Sequence, residues 1–208
     1  MASMLERAEH RLVLHNVSWR TYEDLLEDSK NKSSPRFTYD RGVLDIMSPS
    51  AEHEEYNRTI AMLVEVVAEE LSIDVRNLGS TTFKRDDLLR GTEPDSCFYI
   101  QSADRIAGKT SVDLPFDPPP DLVIEIDITR DSLDKLSLYA AIRIPEIWRF
   151  DGDDLSIFQL AGETYEKTDR STAIPILTKD VIQDFLQKSK SLGRTAWLKA
   201  LRQWVRDC

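Results

Sequence analysis

The chain has 208 residues with 41% hydrophobic and 31% charged, seven Gly, nine Pro and a formal net charge of −10. This composition excludes collagenous, low-complexity and disordered classes, and the length suits one domain, since domains average ~100–200 residues. The acidic balance argues against a protein that coats DNA non-specifically, although residues 178–208 alone hold seven Lys/Arg against three Asp/Glu.

Ser18 is placed to cap a short helix over 19–27, with Tyr22, Leu25 and Leu26 as its apolar stripe. Segments 37–39 and 43–47 flank Asp40-Arg41-Gly42 as strand, tight turn and strand, with Gly42 available for positive φ. Ser48-Pro49-Ser50 then caps a long helix to about Leu71, whose Tyr56, Ile60, Leu63, Val64, Val67 and Leu71 recur with helical period. Short β-like pieces follow at 73–75, 81–84 and 95–100, punctuated by Gly79 and Gly91. Pro115 and Pro118-Pro119-Pro120 make an extended linker into 121–128, the most strand-like run in the chain. Residues 132–142 read as a helix stopped before Pro145, and 147–150 with 155–160 flank Asp151-Gly152-Asp153-Asp154 as a hairpin. Amphipathic helices over 179–190 and 195–206 end the chain. The order predicts an α/β protein with a mixed sheet flanked by helices. It is expected to form a single domain over 1–208, with its core at about 18–160 and a C-terminal helical tail at about 178–208.

No apolar run reaches the ~18 residues of a membrane span, and Met1 to Arg11 lacks the apolar centre of a signal peptide. Cys97 and Cys208 are too few for a disulfide framework and lack zinc-ligand spacing. A cytoplasmic protein without membrane contact is expected.

Alternation along 121–128 sends Leu122, Ile124, Ile126 and Ile128 to one face, and Asp121, Val123, Glu125 and Asp127 to the other. Carboxylates lined up on one side of a strand either face solvent or need compensating charge, and Glu125 sits mid-run where charge is least comfortable. A second acidic point, Gly91-Thr92-Glu93-Pro94-Asp95, opens the apolar run Cys97-Phe98-Tyr99-Ile100. Asp95 and Glu125 on neighbouring strands can share one hard cation such as Mg²⁺, which prefers oxygen ligands.

Pro94-Asp95 followed by Glu125 in an apolar strand resembles the PD-(D/E)XK nuclease pattern. Around it, Tyr39 to Ser50, His53-Glu54 opening a helix, Pro120 to Ile126, Asp134-Lys135 to Tyr139 and Pro145-Glu146-Ile147-Trp148 resemble, in order and spacing, the Uma-two family of restriction endonucleases. The similarity runs from about Ser18 to Phe158. It implies a restriction-endonuclease-like fold and a Mg²⁺-dependent DNA endonuclease, with Mn²⁺ as a substitute, acting as a homodimer. Asp95 and Glu125 would bind the metal and Glu54 would ligate or orient from its helix. The pattern's lysine is absent two residues after Glu125, where Asp127 stands; the resemblance implies a lysine on the following helix instead, Lys135, which would contact the scissile phosphate or position the water.

Each residue has an ordinary alternative. Glu54, with Glu52 and Glu55, also suits a helix N-terminus. His53 reads as a packed, hydrogen-bonded histidine outside the metal site. Lys135 can pair with Asp131. Asp127 is either a further ligand or a solvated group, and Lys84-Arg85 and Lys109 read as solvated surface. Trp197, Leu198, Leu201, Trp204 and Val205 form a core or dimer face. Two other functions compete with nuclease activity: an inactive interaction protein of the same fold, allowed by the missing lysine and the charge of −10, and, less favoured, a carboxylate-pair hydrolase of sugars.

Overall fold

A computed structural model describes residues 10–30, 34–128 and 135–208. In chain order the elements are β1 (His10–Leu14), α1 (Trp19–Ser29), β2 (Arg36–Asp40), β3 (Val43–Ser48), α2 (Ala51–Glu70), β4 (Arg76–Asn77), β5 (Phe83–Arg85), β6 (Arg90–Thr92), β7 (Ser96–Tyr99), β8 (Leu122–Ile126), α3 (Leu136–Ala141), β9 (Glu146–Phe150), β10 (Leu155–Ala161), β11 (Thr164–Thr168), α4 (Lys179–Ser191) and α5 (Arg194–Arg206). The mixed α/β order is as the sequence implies, but the strands divide over two sheets. One is antiparallel, in the order β1-β3-β2-β6-β5. The other runs β11-β10-β9-β8-β7-β4 and is antiparallel except for the parallel pair β8 and β9.

Local chemistry fixes the elements that matter for the site. The Ser50 side chain accepts the His53 N–H at 3.1 Å, capping α2 and setting His53 and Glu54 in its first turn. The turn between β2 and β3 uses Arg41 at φ 45° and Gly42 at φ 97°, both left-handed, which matches strand twist. The apolar face of α2, with Ile60, Leu63, Val64 and Val67 all inaccessible to solvent, packs on Phe98, Leu122, Ile124 and Trp148 of the second sheet. The other side of α2 meets α4 and α5, so Phe185, Trp197, Leu201 and Val205 are spent on the chain's own core. Glu146, also fully buried, accepts from Trp148 Nε1 at 2.6 Å and from the Thr172 amide and hydroxyl at 2.6 Å each, which ties β9 to the loop before α4.

Gly91 on β6 lies under α1. A Cβ there would sit 2.8 Å from two ring carbons of Tyr22 and closer still to its hydroxyl. Tyr22 has no room to retreat, because it is fully buried between Trp19 and Tyr39 with ring centroids 5.1 Å away on both sides. Gly91→Ala is therefore expected to cost at least ~1–3 kcal/mol of stability, the usual range for overpacking. Urea unfolding checks this, and an unchanged midpoint would show that α1 can lift off β6.

Candidate active site

Register brings the two predicted acids together. β7 and β8 pair with Ser96 opposite Ile124, so one step further along, Asp95 stands across from Glu125. The Ile126 N–H donates to Asp95 Oδ2 at 2.7 Å, locking the two segments at that point. Asp95 and Glu125 are 2% and 8% exposed, and neither has the solvated face that alternation alone allows. Asp121, on the same face by alternation, instead accepts from the Ile100 and Ser102 amides at 2.7 and 3.0 Å and holds the loop after β7.

Each carboxylate is compensated by the protein itself. Asp95 Oδ1 accepts from His53 Nε2 at 2.8 Å and from the guanidinium of Arg36 on β2. The second arm of Arg36 donates to Glu54 Oε1 at 2.5 Å, and Asn57 one turn along α2 donates to the Asp95 carbonyl at 3.0 Å. His53 is packed and hydrogen-bonded as expected, and its partner is Asp95 itself. Glu125 has its own donors. Lys135 Nζ donates to Glu125 Oε2 at 2.7 Å, and the hydroxyl of Tyr139 donates to Oε1. Burial, aided by the Glu125 charge, raises the Tyr139 phenol well above its ordinary 10, so it remains a donor at neutral pH. Thr92 on β6 lies 3.5 Å from the Tyr139 hydroxyl and 3.2 Å from Thr38 on β2, so the first sheet meets Asp95 through Arg36 and the donor of Glu125 through Thr92.

The two carboxylates open into different hollows. Asp95 lines a cavity of about 570 Å³ with Arg36, Glu54, Asn57, Arg58 and Glu93. Glu125 lines one of about 20 Å³ with Arg11, Asp127, Lys135 and Tyr139. Asp131 and residues 132–134, expected at the start of the helix that carries Lys135, lie outside the described residues, and α3 is described from Leu136. The basic side chains read as solvated surface are paired with acids: Lys84 with Glu23 at 2.6 Å, Arg85 with Asp87 at 2.7 Å, and Lys109 with Asp117.

Three members of the site escaped the sequence reading. Arg36 and Arg11 are lone arginines without motif spacing, and pairing between distant strands gives them their roles. Arg11 of β1 grips Asp45 of β3 through Nε at 2.9 Å and borders the Glu125 hollow. The third, Glu93, sits two residues before Asp95 and accepts from the Phe37 amide and the Thr82 hydroxyl, each at 2.7 Å. Burial raises its carboxyl above the ordinary 4.5, while those two bonds and the charges of Arg36 and Lys135 work the other way.

The folded protein therefore keeps a proton on Glu93 over an interval above pH 4.5 in which the unfolded chain has released it. Stability owed to Glu93 must fall as pH rises through that interval. Glu93→Gln abolishes the titration, so its urea midpoint relative to wild type should improve as pH rises above 4.5. A difference independent of pH would show that the carboxyl titrates normally.

Mg²⁺ can be judged against these donors. Among the described residues, no three His, Cys, Asp or Glu side chains converge as a ready-made cage. The donor chemistry nevertheless fits: Asp95 and Glu54 offer hard oxygens on either arm of Arg36, and the strand register sets the Glu125 carboxylate across from Asp95.

Comparison with known proteins places the fold and the family. No curated protein matches the chain. A crystal structure of a "putative nuclease belonging to DUF820" from Anabaena variabilis ATCC 29413 superposes with a TM-score of 0.54 at 15% identity, covering 88% of this chain and 99% of the other. That likeness establishes a shared fold. The model of the Uma2 family, described as "Putative restriction endonuclease", matches residues 19–185, a span that holds Arg36, Glu54, Asp95, Glu125 and Lys135. On that match, which covers most of its length, the chain belongs to the Uma2 family.

Proposed function

We propose that the protein is a Mg²⁺-dependent endonuclease that hydrolyses phosphodiester bonds of DNA, with Asp95 and Glu125 as metal ligands. Mn²⁺ would serve in place of Mg²⁺. The observation that carries this reading is the register that sets Asp95 opposite Glu125, with Lys135 held on Glu125 at 2.7 Å. Hydrolysis needs charge neutralised on the phosphoryl oxygens, an activated water and support for the leaving alkoxide. Bound Mg²⁺ would supply the Lewis acidity and lower the pKa of the attacking water. The chain's residues position these parts. His53 and the Ile126 N–H fix the Asp95 carboxylate from two sides, Tyr139 fixes that of Glu125, and Glu54 adds an oxygen from α2. Lys135 gives the ammonium that meets the phosphate, a role consistent with its position at the head of α3.

Cutting both strands requires two sites or two events, which a homodimer supplies. Free Cys97 and Cys208 suit a reducing cytoplasm, and among the described residues no helix is long and apolar enough to cross a membrane. A single folding unit over 1–208 is supported by the core that α4 and α5 share with α2 and β8.

The test is nicking of supercoiled plasmid by purified protein with Mg²⁺, Mn²⁺ or EDTA. Cleavage is expected with either metal, none with EDTA and none from Glu125→Ala. One observation favours a second reading, an inactive protein of nuclease fold: both acids already have protein partners on both oxygens. Absence of cleavage of plasmid, single-stranded DNA and RNA with either metal would establish that reading.

A further inference from the structure

Arg36 stands at the centre of the Asp95 cluster, and its use of hydrogen-bond donors is uneven. It is 7% exposed, with one arm on Asp95 and the other on Glu54. Nη1 also lies 3.3 Å from His53 Nε2. Its Nε is buried and has no hydrogen-bond partner among the described residues. A purely structural buried arginine normally satisfies Nε as well, since an orphaned donor is costly. The side chain is therefore placed by its two charge contacts at the expense of its third donor.

The charges explain why. Asp95 is almost inaccessible, and a carboxylate so placed requires a compensating charge in any state of the protein. Arg58 also approaches Glu54, 3.7 Å from Oε2, so the two carboxylates are matched by two guanidiniums, of which Arg36 is the buried one and touches both acids. Arg36 and Glu54 also line the cavity of about 570 Å³, which offers the guanidinium somewhere to go. Two cations cannot both sit between Asp95 and Glu54 without strong repulsion at low dielectric.

We propose that Arg36 is a resident counter-cation that competes with the divalent metal for Asp95 and Glu54. The metal-free protein is closed by the guanidinium, and metal entry moves it into the cavity, beside Arg58. Arg36 is then a positioning residue that sets metal affinity through the two carboxylates. The inference rests on the metal-dependent reading above and extends it to a residue that this reading leaves unassigned.

Titration calorimetry with MnCl₂ on full-length wild type, Arg36→Gln and Arg36→Lys, with thermal midpoints in EDTA and in Mn²⁺, tests it. Arg36→Gln is expected to bind Mn²⁺ at least tenfold more tightly than wild type. It should melt lower than wild type in EDTA and gain more degrees on adding Mn²⁺, as linkage requires of tighter binding. Arg36→Lys, which can hold only one carboxylate at a time, should fall between them at severalfold tighter; it decides the matter should the glutamine variant not fold. Equal or weaker Mn²⁺ affinity in the variants, with binding present in wild type, overturns the competition and leaves the metal-dependent reading standing. Absence of Mn²⁺ binding in all three overturns both.

Discussion

Asp95→Ala is expected to abolish cleavage and to destabilise the protein by ~3–5 kcal/mol, the cost of removing one partner from a buried charge pair. The carboxylate is 2% exposed and gathers donors from three elements: Arg36 of β2, His53 of α2 at 2.8 Å, and the Ile126 N–H of β8 at 2.7 Å. Without it, a buried guanidinium keeps only Glu54, and two further donors lose their acceptor at ~1–3 kcal/mol each, a sum that relaxation and water entry reduce. Asp95→Asn separates the two effects. Its amide oxygen can still accept from Arg36 and His53, so urea unfolding should show a smaller loss than for alanine. Cleavage should nevertheless fall at least ~1,000-fold, about 4 kcal/mol in the barrier, because a neutral amide is a poor ligand for a hard divalent cation. An asparagine variant that nicks plasmid as fast as wild type would remove Asp95 from the chemistry and leave it the structural role alone.

The parts of this fold that the sequence reveals are those whose signal is local. α2 is readable because five of its apolar residues repeat at helical spacing behind a Ser50 cap, and β2–β3 because Gly42 marks the turn. β8 is readable as an apolar run, and β7 and β8 are neighbours as their order suggests. The strands that escaped lack such a signal. β1 is a short exposed edge, β6 is the three residues Arg90-Gly91-Thr92, and β11 is the polar segment Thr164-Tyr165-Glu166-Lys167-Thr168. Their pairing depends on partners far along the chain. The segment at 73–75 is not a strand; the short β4 begins one residue later, at Arg76.

The site divides in the same way. Asp95, Glu125, Glu54 and Lys135 could be named because order and spacing carry them. Alternation leaves open whether these acids face solvent or need a compensating charge, and the structure buries both and supplies cations from within, Arg36 to Asp95 and Lys135 to Glu125. Arg36 could not be named, since its meaning arises only when β2 pairs with β6 and the first sheet closes against α2 and β8.

Lys135→Ala is expected to slow cleavage at least tenfold, equivalent to ~1.4 kcal/mol, and, unlike a surface substitution, to weaken folding as well. An exposed pair with Asp131 would cost only ~0.3–0.5 kcal/mol on removal. The observed partner is Glu125, and the two side chains are 11% and 10% exposed. Alanine would leave that carboxylate with Tyr139 as its remaining donor among the described side chains, so a loss of up to ~3 kcal/mol is expected, at the lower end for broken buried pairs. Rate and stability must therefore be measured separately. Lys135→Arg keeps the charge on Glu125 and should recover most of the stability. Its wider, planar head cannot reproduce a point-like ammonium at a phosphate, so cleavage should recover only in part. Single-turnover nicking at a temperature where every variant is folded decides the question. If the alanine and arginine variants both cut at the wild-type rate once folded, Lys135 is the structural counter-ion of Glu125 and the phosphate contact lies elsewhere. If both are slow while the arginine variant is as stable as wild type, the ammonium acts on the phosphate, and its grip on Glu125 is how the metal-free protein holds it ready.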